Sequence, residues 1–145
     1  MSFINILEQY ANARNSPPIP EAPRHFEEAA QEAPQDVVSQ GIAEAFRAEE
    51  TPPFGQMVAG LFRDSNPQQR SGVLQHLMDA LGRRERVDDA TPRQVEDLAN
   101  RAERQNPGVV DRVSKFYAQH PTLVRNLGTA ALTIALARMA QRGRA

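Results

Sequence analysis

The placement of proline constrains this chain more than any other feature of its sequence. Eleven of the 145 residues are proline, and four of these stand where an apolar helical pattern begins. Proline fits the first turn of a helix, whose N–H has no intrahelical partner, but it disrupts a helix interior or a central strand. The prolines therefore predict a series of short helices. The four pairs are Asn66-Pro67, Thr91-Pro92, Asn106-Pro107 and His120-Pro121, at irregular spacings that do not form a repeat.

Apolar residues between the prolines recur every three or four residues, which is the period of one helix face. No segment of the sequence sustains the alternation of a strand. The sequence therefore predicts an all-α fold, an irregular bundle of six to seven short helices over residues 24–145. The predicted helices cover residues 24–32, a segment that Pro34 opens, a segment from Phe54, and the segments that follow the four pairs, the last over about 122–141. This last helix is apolar on nearly all sides, as is typical of a central core element.

The amino-terminal segment is predicted to be a separate, tethered element. Residues 2–13 form an amphipathic pattern, with Phe3, Ile4, Leu7 and Tyr10 on one face. Such a short helix is marginal alone in water and needs a surface to bind. The proline-rich residues 15–23 follow it and reach about 28 Å in polyproline geometry. We therefore expect a docking helix over residues 1–14, which binds a neighbouring subunit or a partner. Folding back onto its own bundle is the alternative.

Charge is distributed unevenly along the chain. Residues 1–50 carry a net charge of −6 and residues 51–145 a net charge of +5, with no acidic residue after Asp111. An acidic front and a basic tail attract each other within a chain or between chains, which favours head-to-tail contact. Lysine supplies one of the 17 basic residues. We interpret the arginine excess as the bacterial-like composition of a GC-rich genome, in preference to a need for bidentate arginine contacts.

The sequence offers no constellation of residues typical of an enzyme. It has no cysteine, which excludes thiolate metal sites and cysteine nucleophiles. His25, His76 and His120 lie far apart in sequence and form no ligand pair, and the paired carboxylates are sequence neighbours that point in different directions along a helix. No phosphate-binding loop is present. We therefore predict no catalytic residue, no cofactor and no metal site, and a protein that is not an enzyme.

Two other partner classes follow from the basic residues. Arg125, Arg138, Arg142 and Arg144 flank the apolar stretch of the last predicted helix, a pattern that can lie on an anionic membrane or contact an anionic partner. Burial of that stretch in the core is the favoured interpretation. A nucleic-acid partner is disfavoured, because the basic cluster at residues 83–86 is flanked by acids and the pI is about 6.3.

The predicted function is that of a non-enzymatic assembly or adaptor protein that acts through protein–protein contacts. Its partner is expected to be itself, as a homo-oligomer, or another protein. A peripheral membrane protein that uses the basic carboxy-terminal helix is the alternative. The amino terminus has no secretory pattern, and the longest apolar stretch near the carboxyl end falls short of the ~20 residues that span a bilayer. A cytoplasmic location is therefore expected.

Overall fold

The structure, a computed structural model, describes residues 8–10, 19–82 and 90–143. These residues contain eight α-helices and one turn of 3-10 helix (Arg125–Leu127), with no strand among them, which confirms the all-α prediction. The helices are α1 (Ala22–Glu32), α2 (Gln35–Arg47), α3 (Phe54–Asp64), α4 (Pro67–Ala80), α5 (Pro92–Gln105), α6 (Val109–Ala118), α7 (Pro121–Val124) and α8 (Thr129–Gly143).

Side-chain caps begin two of the helices at the predicted proline pairs. Asn66 accepts a hydrogen bond from the backbone N–H of Gln69 at 2.8 Å, and the Gln69 side chain accepts one from the backbone N–H of Asn66 at 3.0 Å. Thr91 and Gln94 form the same reciprocal pair at the start of α5. Each box satisfies backbone donors that a helix start leaves free. The third pair differs, because Pro107 lies in a turn and α6 begins two residues later at Val109.

The last predicted helix is not continuous. After α7 and the 3-10 turn, Gly128 adopts a φ of 101°, a left-handed value that few residues other than glycine tolerate. The chain therefore changes direction at Gly128, and α8 begins at Thr129. The prediction of one helix over 122–141 is wrong at this point. The prediction that its apolar residues are core is confirmed, because every residue from Ala131 to Ala137 is buried, as are Met139 and Ala140.

Helix α2 holds the bundle together by packing against both α8 and α6, while α3 packs against α5. The α2–α8 contact is close because Gly41 has no side chain. A Cβ built on Gly41 would lie 2.7 Å from the carbonyl oxygen of Ala135 and 2.9 Å from Cγ of Met139. The buried side chains of these helices are mostly aliphatic, with Phe46, Phe54 and Tyr117 supplying the larger rings.

In the part of the chain that the structure describes, none of the helices has the length and apolar character needed to cross a membrane.

Candidate functional site

Tyr10 is the predicted docking residue whose position the structure describes, and its side chain is buried in its own chain. The side chain is 0% exposed. Its hydroxyl lies 2.7 Å from Nδ1 of His25, and the two rings meet edge to face with centroids 5.7 Å apart. Tyr10 is therefore not on an exposed face, because its ring and hydroxyl are engaged by α1. The other predicted docking residues, Phe3, Ile4 and Leu7, lie outside the described residues.

The predicted amino-terminal helix also differs where it is described. Glu8 is helical, but Gln9 and Tyr10 form a turn, so the helix does not continue through Tyr10 toward residue 13 as predicted.

Helix α1 presents His25 to Tyr10 because His25 lies in the apolar stripe of that helix. The buried residues of α1 are Ala22, His25, Phe26 and Ala29, which follow the three- and four-residue spacing of one helix face. The sequence analysis started this helix at residue 24 and gave His25 no partner. Extending the helix back to Ala22 would have placed His25 among core residues, and that spacing is the signal the sequence offered.

The hydrogen bond between Tyr10 and His25 joins two neutral groups. Burial raises the pKa of Tyr10 to about 12, with a smaller contribution in the same direction from the charge of Glu21 and an opposing one from Arg24. The phenol therefore stays protonated in neutral solution and its O–H donates to Nδ1 of His25. A buried, neutral and mutually satisfied pair of this kind suits a packing contact, and it lacks the ionised group that general-base chemistry needs.

A second contact fixes the chain on the other side of residues 11–18. The backbone N–H of Ile19 donates to Oγ1 of Thr133 on α8 at 3.2 Å, and the Thr133 hydroxyl donates to the carbonyl of Thr129 at 2.8 Å. The amino-terminal segment is thus attached to the bundle at two points, Tyr10 on α1 and Ile19 on α8. We call these two contacts the amino-terminal anchors.

The attraction between the acidic front and the basic tail is satisfied partly within one chain. Nη1 of Arg125 lies 2.9 Å from Oε2 of Glu27, and the hydroxyl of Thr122 lies 3.4 Å from the other carboxylate oxygen. Arg138 is half-buried on α8. The side chains of Arg142 and Arg144 lie outside the described residues. The membrane alternative stays a prediction, but the apolar residues of α8 on which it depends are in the core.

The other histidines do not converge on a common site. His76 on α4 and His120, which follows α6, flank the ring of Phe116 with centroid distances of 5.6 and 5.0 Å. Among residues 8–10, 19–82 and 90–143, no group of three or more His, Asp or Glu side chains could hold a metal ion.

One shallow depression lies on α5 and is lined by Gln94, Asp97, Leu98 and Arg101. Its Asp97 and Arg101 form an exposed ion pair at 3.8 Å. This arrangement offers no nucleophile–base pair, so we do not assign it a reaction.

The chain matches no protein-family model, no curated protein and no solved structure. The anchors, not a family assignment, therefore carry the functional argument.

Proposed function

We propose that this protein is a non-enzymatic assembly protein in which the amino-terminal segment of one copy binds α1 of a neighbouring copy. The observation that supports the proposal is the Tyr10–His25 contact. A fully buried tyrosine with a satisfied hydroxyl is a specific binding contact between a short segment and a preformed helix face. The same contact made between copies would join them. In an adaptor role, a partner's segment would take the place of Tyr10.

The link between the two anchors is long enough for either arrangement. Residues 11–18 separate Tyr10 from Ile19, and they include Pro17 and Pro18. At about 3.1–3.3 Å per residue, the extended link spans on the order of 30 Å. That reach is comparable to the length of a 20-residue helix. Tyr10 of one copy can therefore reach His25 of its own chain or of an adjacent chain.

Exchange of this segment between copies is energetically balanced. Every contact that Tyr10 makes within its own chain is re-formed with the neighbouring chain, which is the property that makes segment exchange an inexpensive route to oligomers. A short link gives the internal contact an effective concentration in the millimolar range. We therefore expect assembly to grow with protein concentration, with monomers dominant at low micromolar concentrations.

Light scattering coupled to size exclusion on the full chain tests the proposal. Between about 10 µM and 1 mM, the range that a millimolar effective concentration dictates, we expect the mass to rise above the 16.1 kDa of one chain. Tyr10→Ala and Leu7→Asp should each abolish the rise. Gln9→Ala is the matched control, because Gln9 neighbours Tyr10 in sequence and is exposed.

Two outcomes would contradict the proposal. A mass of 16.1 kDa at every concentration would exclude self-assembly. A rise that Tyr10→Ala and Leu7→Asp leave unchanged would place the joint elsewhere on the bundle. Circular dichroism of each variant shows that a lost rise does not come from a lost fold.

A further inference from the structure

Helices α4 and α6 meet around the ring of Phe116, which lies between two histidines. His76 lies on one side at 5.6 Å and His120 on another at 5.0 Å between ring centroids. The ring rests directly on the backbone of α4 at Gly72, where an added Cβ would be 2.5 Å from Cε1 of Phe116. The position of Phe116 therefore depends on how closely the two helices approach.

His76 is placed so that a proton on its ring disfavours the contact between the helices. Its Nδ1 is buried and has no hydrogen-bond partner among the described residues, although the residue as a whole is half-buried. In the neutral imidazole, a proton on Nε2 leaves Nδ1 as an acceptor. Protonation makes Nδ1 a charged donor, still without a partner, and a buried unpaired charged group is more costly than a buried unpaired neutral one.

The charges around His76 act in opposite directions. Arg112 lies across the interface on α6, and Asp79 lies one turn along α4; these two form an ion pair at 3.5 Å. The pKa of His76 is lowered, chiefly by burial and then by Arg112, with Asp79 opposing. On the far side of Phe116, Nδ1 of His120 lies 3.4 Å from Nε2 of Gln69. His120 is therefore a second titratable group at this interface, and it has a polar neighbour that His76 lacks.

We propose that the α4–α6 contact at Phe116 is a pH-sensitive joint, which opens locally when His76 gains a proton. The packed state holds the neutral ring, whereas an exposed ring binds a proton with an ordinary pKa of about 6.5. Opening is therefore favoured as the pH falls below about 6.5, and the effect is complete below the lowered pKa of the packed ring. A tenfold difference in proton affinity between the two states raises the opening constant up to tenfold. Opening uncovers the ring of Phe116.

Amide hydrogen exchange of the full chain tests the joint, because it reports opening helix by helix. From about pH 7.5 to 5.0, on either side of the ordinary histidine pKa, we expect protection of α4 and α6 to fall up to tenfold relative to α3. Helix α3 serves as the internal reference, since intrinsic exchange rates also change with pH. His76→Gln should remove this relative fall. His120→Gln is the matched control on the other side of Phe116 and should retain it.

An NMR titration of the His76 ring in the wild-type chain provides a test that needs no variant. A pKa below about 6.5 is expected. A pKa at or above that value would overturn the proposal. So would an equal relative fall in protection for the wild type and His76→Gln, or a fall that His120→Gln abolishes.

Discussion

Arg47 and Asp111, which are 64 residues apart in the sequence, form a two-point ion pair with both N–O distances at 3.0 Å. Arg47 lies in the last turn of α2 and Asp111 in the first turn of α6. A cation at a helix C-terminus and an anion at a helix N-terminus each interact favourably with the helix dipole. The pair therefore joins two helix ends at positions where either charge would be favourable alone.

Removing this pair should reduce stability in a pH-dependent way. Hydrogen bonding to Arg47 lowers the pKa of Asp111 below its ordinary value. The contribution is therefore present above about pH 3.9 and is lost as the pH falls through the lowered pKa. Both side chains are about half exposed, so we expect Arg47→Met to cost about 1 kcal/mol or less near neutral pH. Urea unfolding at neutral and strongly acidic pH measures the difference.

The exposed Arg101–Asp97 pair is the control for this prediction, because its N–O distance is 3.8 Å and it lies within one helix. Arg101→Met should cost less than Arg47→Met at neutral pH. An Arg47→Met effect that grows as the pH falls would contradict the sign derived from Asp111.

Two glycines of α3 should respond oppositely to alanine. Gly55 donates its N–H to Oδ1 of Asn100, and a Cβ there would lie 2.6 Å from the carbonyl oxygen of Glu96. Gly55→Ala should therefore separate α3 from α5 and cost about 1–3 kcal/mol. A Cβ on Gly60 meets nothing within 4 Å, so Gly60→Ala should stabilise by about 0.5–1 kcal/mol through helix propensity. Thermal and urea unfolding of both variants decide the prediction.

A gain in stability for Gly55→Ala would show that α3 and α5 can separate at little cost. The sequence analysis did not distinguish these two glycines, since both bracket the same apolar run. Which glycine lies beneath a neighbouring helix depends on the crossing point of α3 and α5, and helical periodicity in one segment does not contain that information.

The capping box of α5 should contribute measurably to stability. Thr91 accepts a hydrogen bond from the backbone N–H of Gln94 at 3.2 Å. Thr91→Ala leaves that donor without its protein partner and should cost about 1 kcal/mol in urea unfolding. Thr91→Ser keeps the hydroxyl and should cost only a fraction of that amount. Equal losses for the two variants would mean that the methyl group, not the cap, carries the effect.

Local patterns predicted the helices well because the information they need is local. The spacing of apolar residues located α2 to α6 with small errors at their ends, and the Thr91-Pro92 pair with Gln94 marked the capping box of α5. The break at Gly128 was missed because the apolar pattern continues through it, and the direction of the chain there is set by what α8 packs against. Long-range contacts such as Arg47–Asp111 were beyond any periodicity argument.

The candidate site was the least predictable part. Tyr10 was correctly placed on an apolar face, but sequence alone did not pair it with His25, since that pairing depends on how the chain returns after residues 11–18. The seven-residue stripe from Ala22 to Ala29 was the available local signal. The function assigned to the amino-terminal segment, docking on another chain, stays a prediction for light scattering to test.

Two buried tyrosines should respond in opposite directions to loss of their hydroxyl. Tyr10 is hydrogen-bonded to His25, whereas the hydroxyl of Tyr117 is buried with no hydrogen-bond partner among the described residues. Tyr10→Phe leaves Nδ1 of His25 unpaired and should destabilise the chain by about 1–2 kcal/mol. Tyr117→Phe removes an unpaired polar group and keeps the ring that packs against Phe46, so it should be neutral or stabilising by about 1 kcal/mol.

Urea unfolding of both variants under one condition measures this contrast. Each substitution removes one oxygen from a side chain that is 0% exposed, so the change in size is the same and the difference reports the hydrogen bond. A loss for Tyr117→Phe equal to that for Tyr10→Phe would mean that the Tyr117 hydroxyl has a partner, with a buried water as the natural candidate. No loss for Tyr10→Phe would mean that the ring of Tyr10, and not its bond to His25, holds the amino-terminal segment on α1.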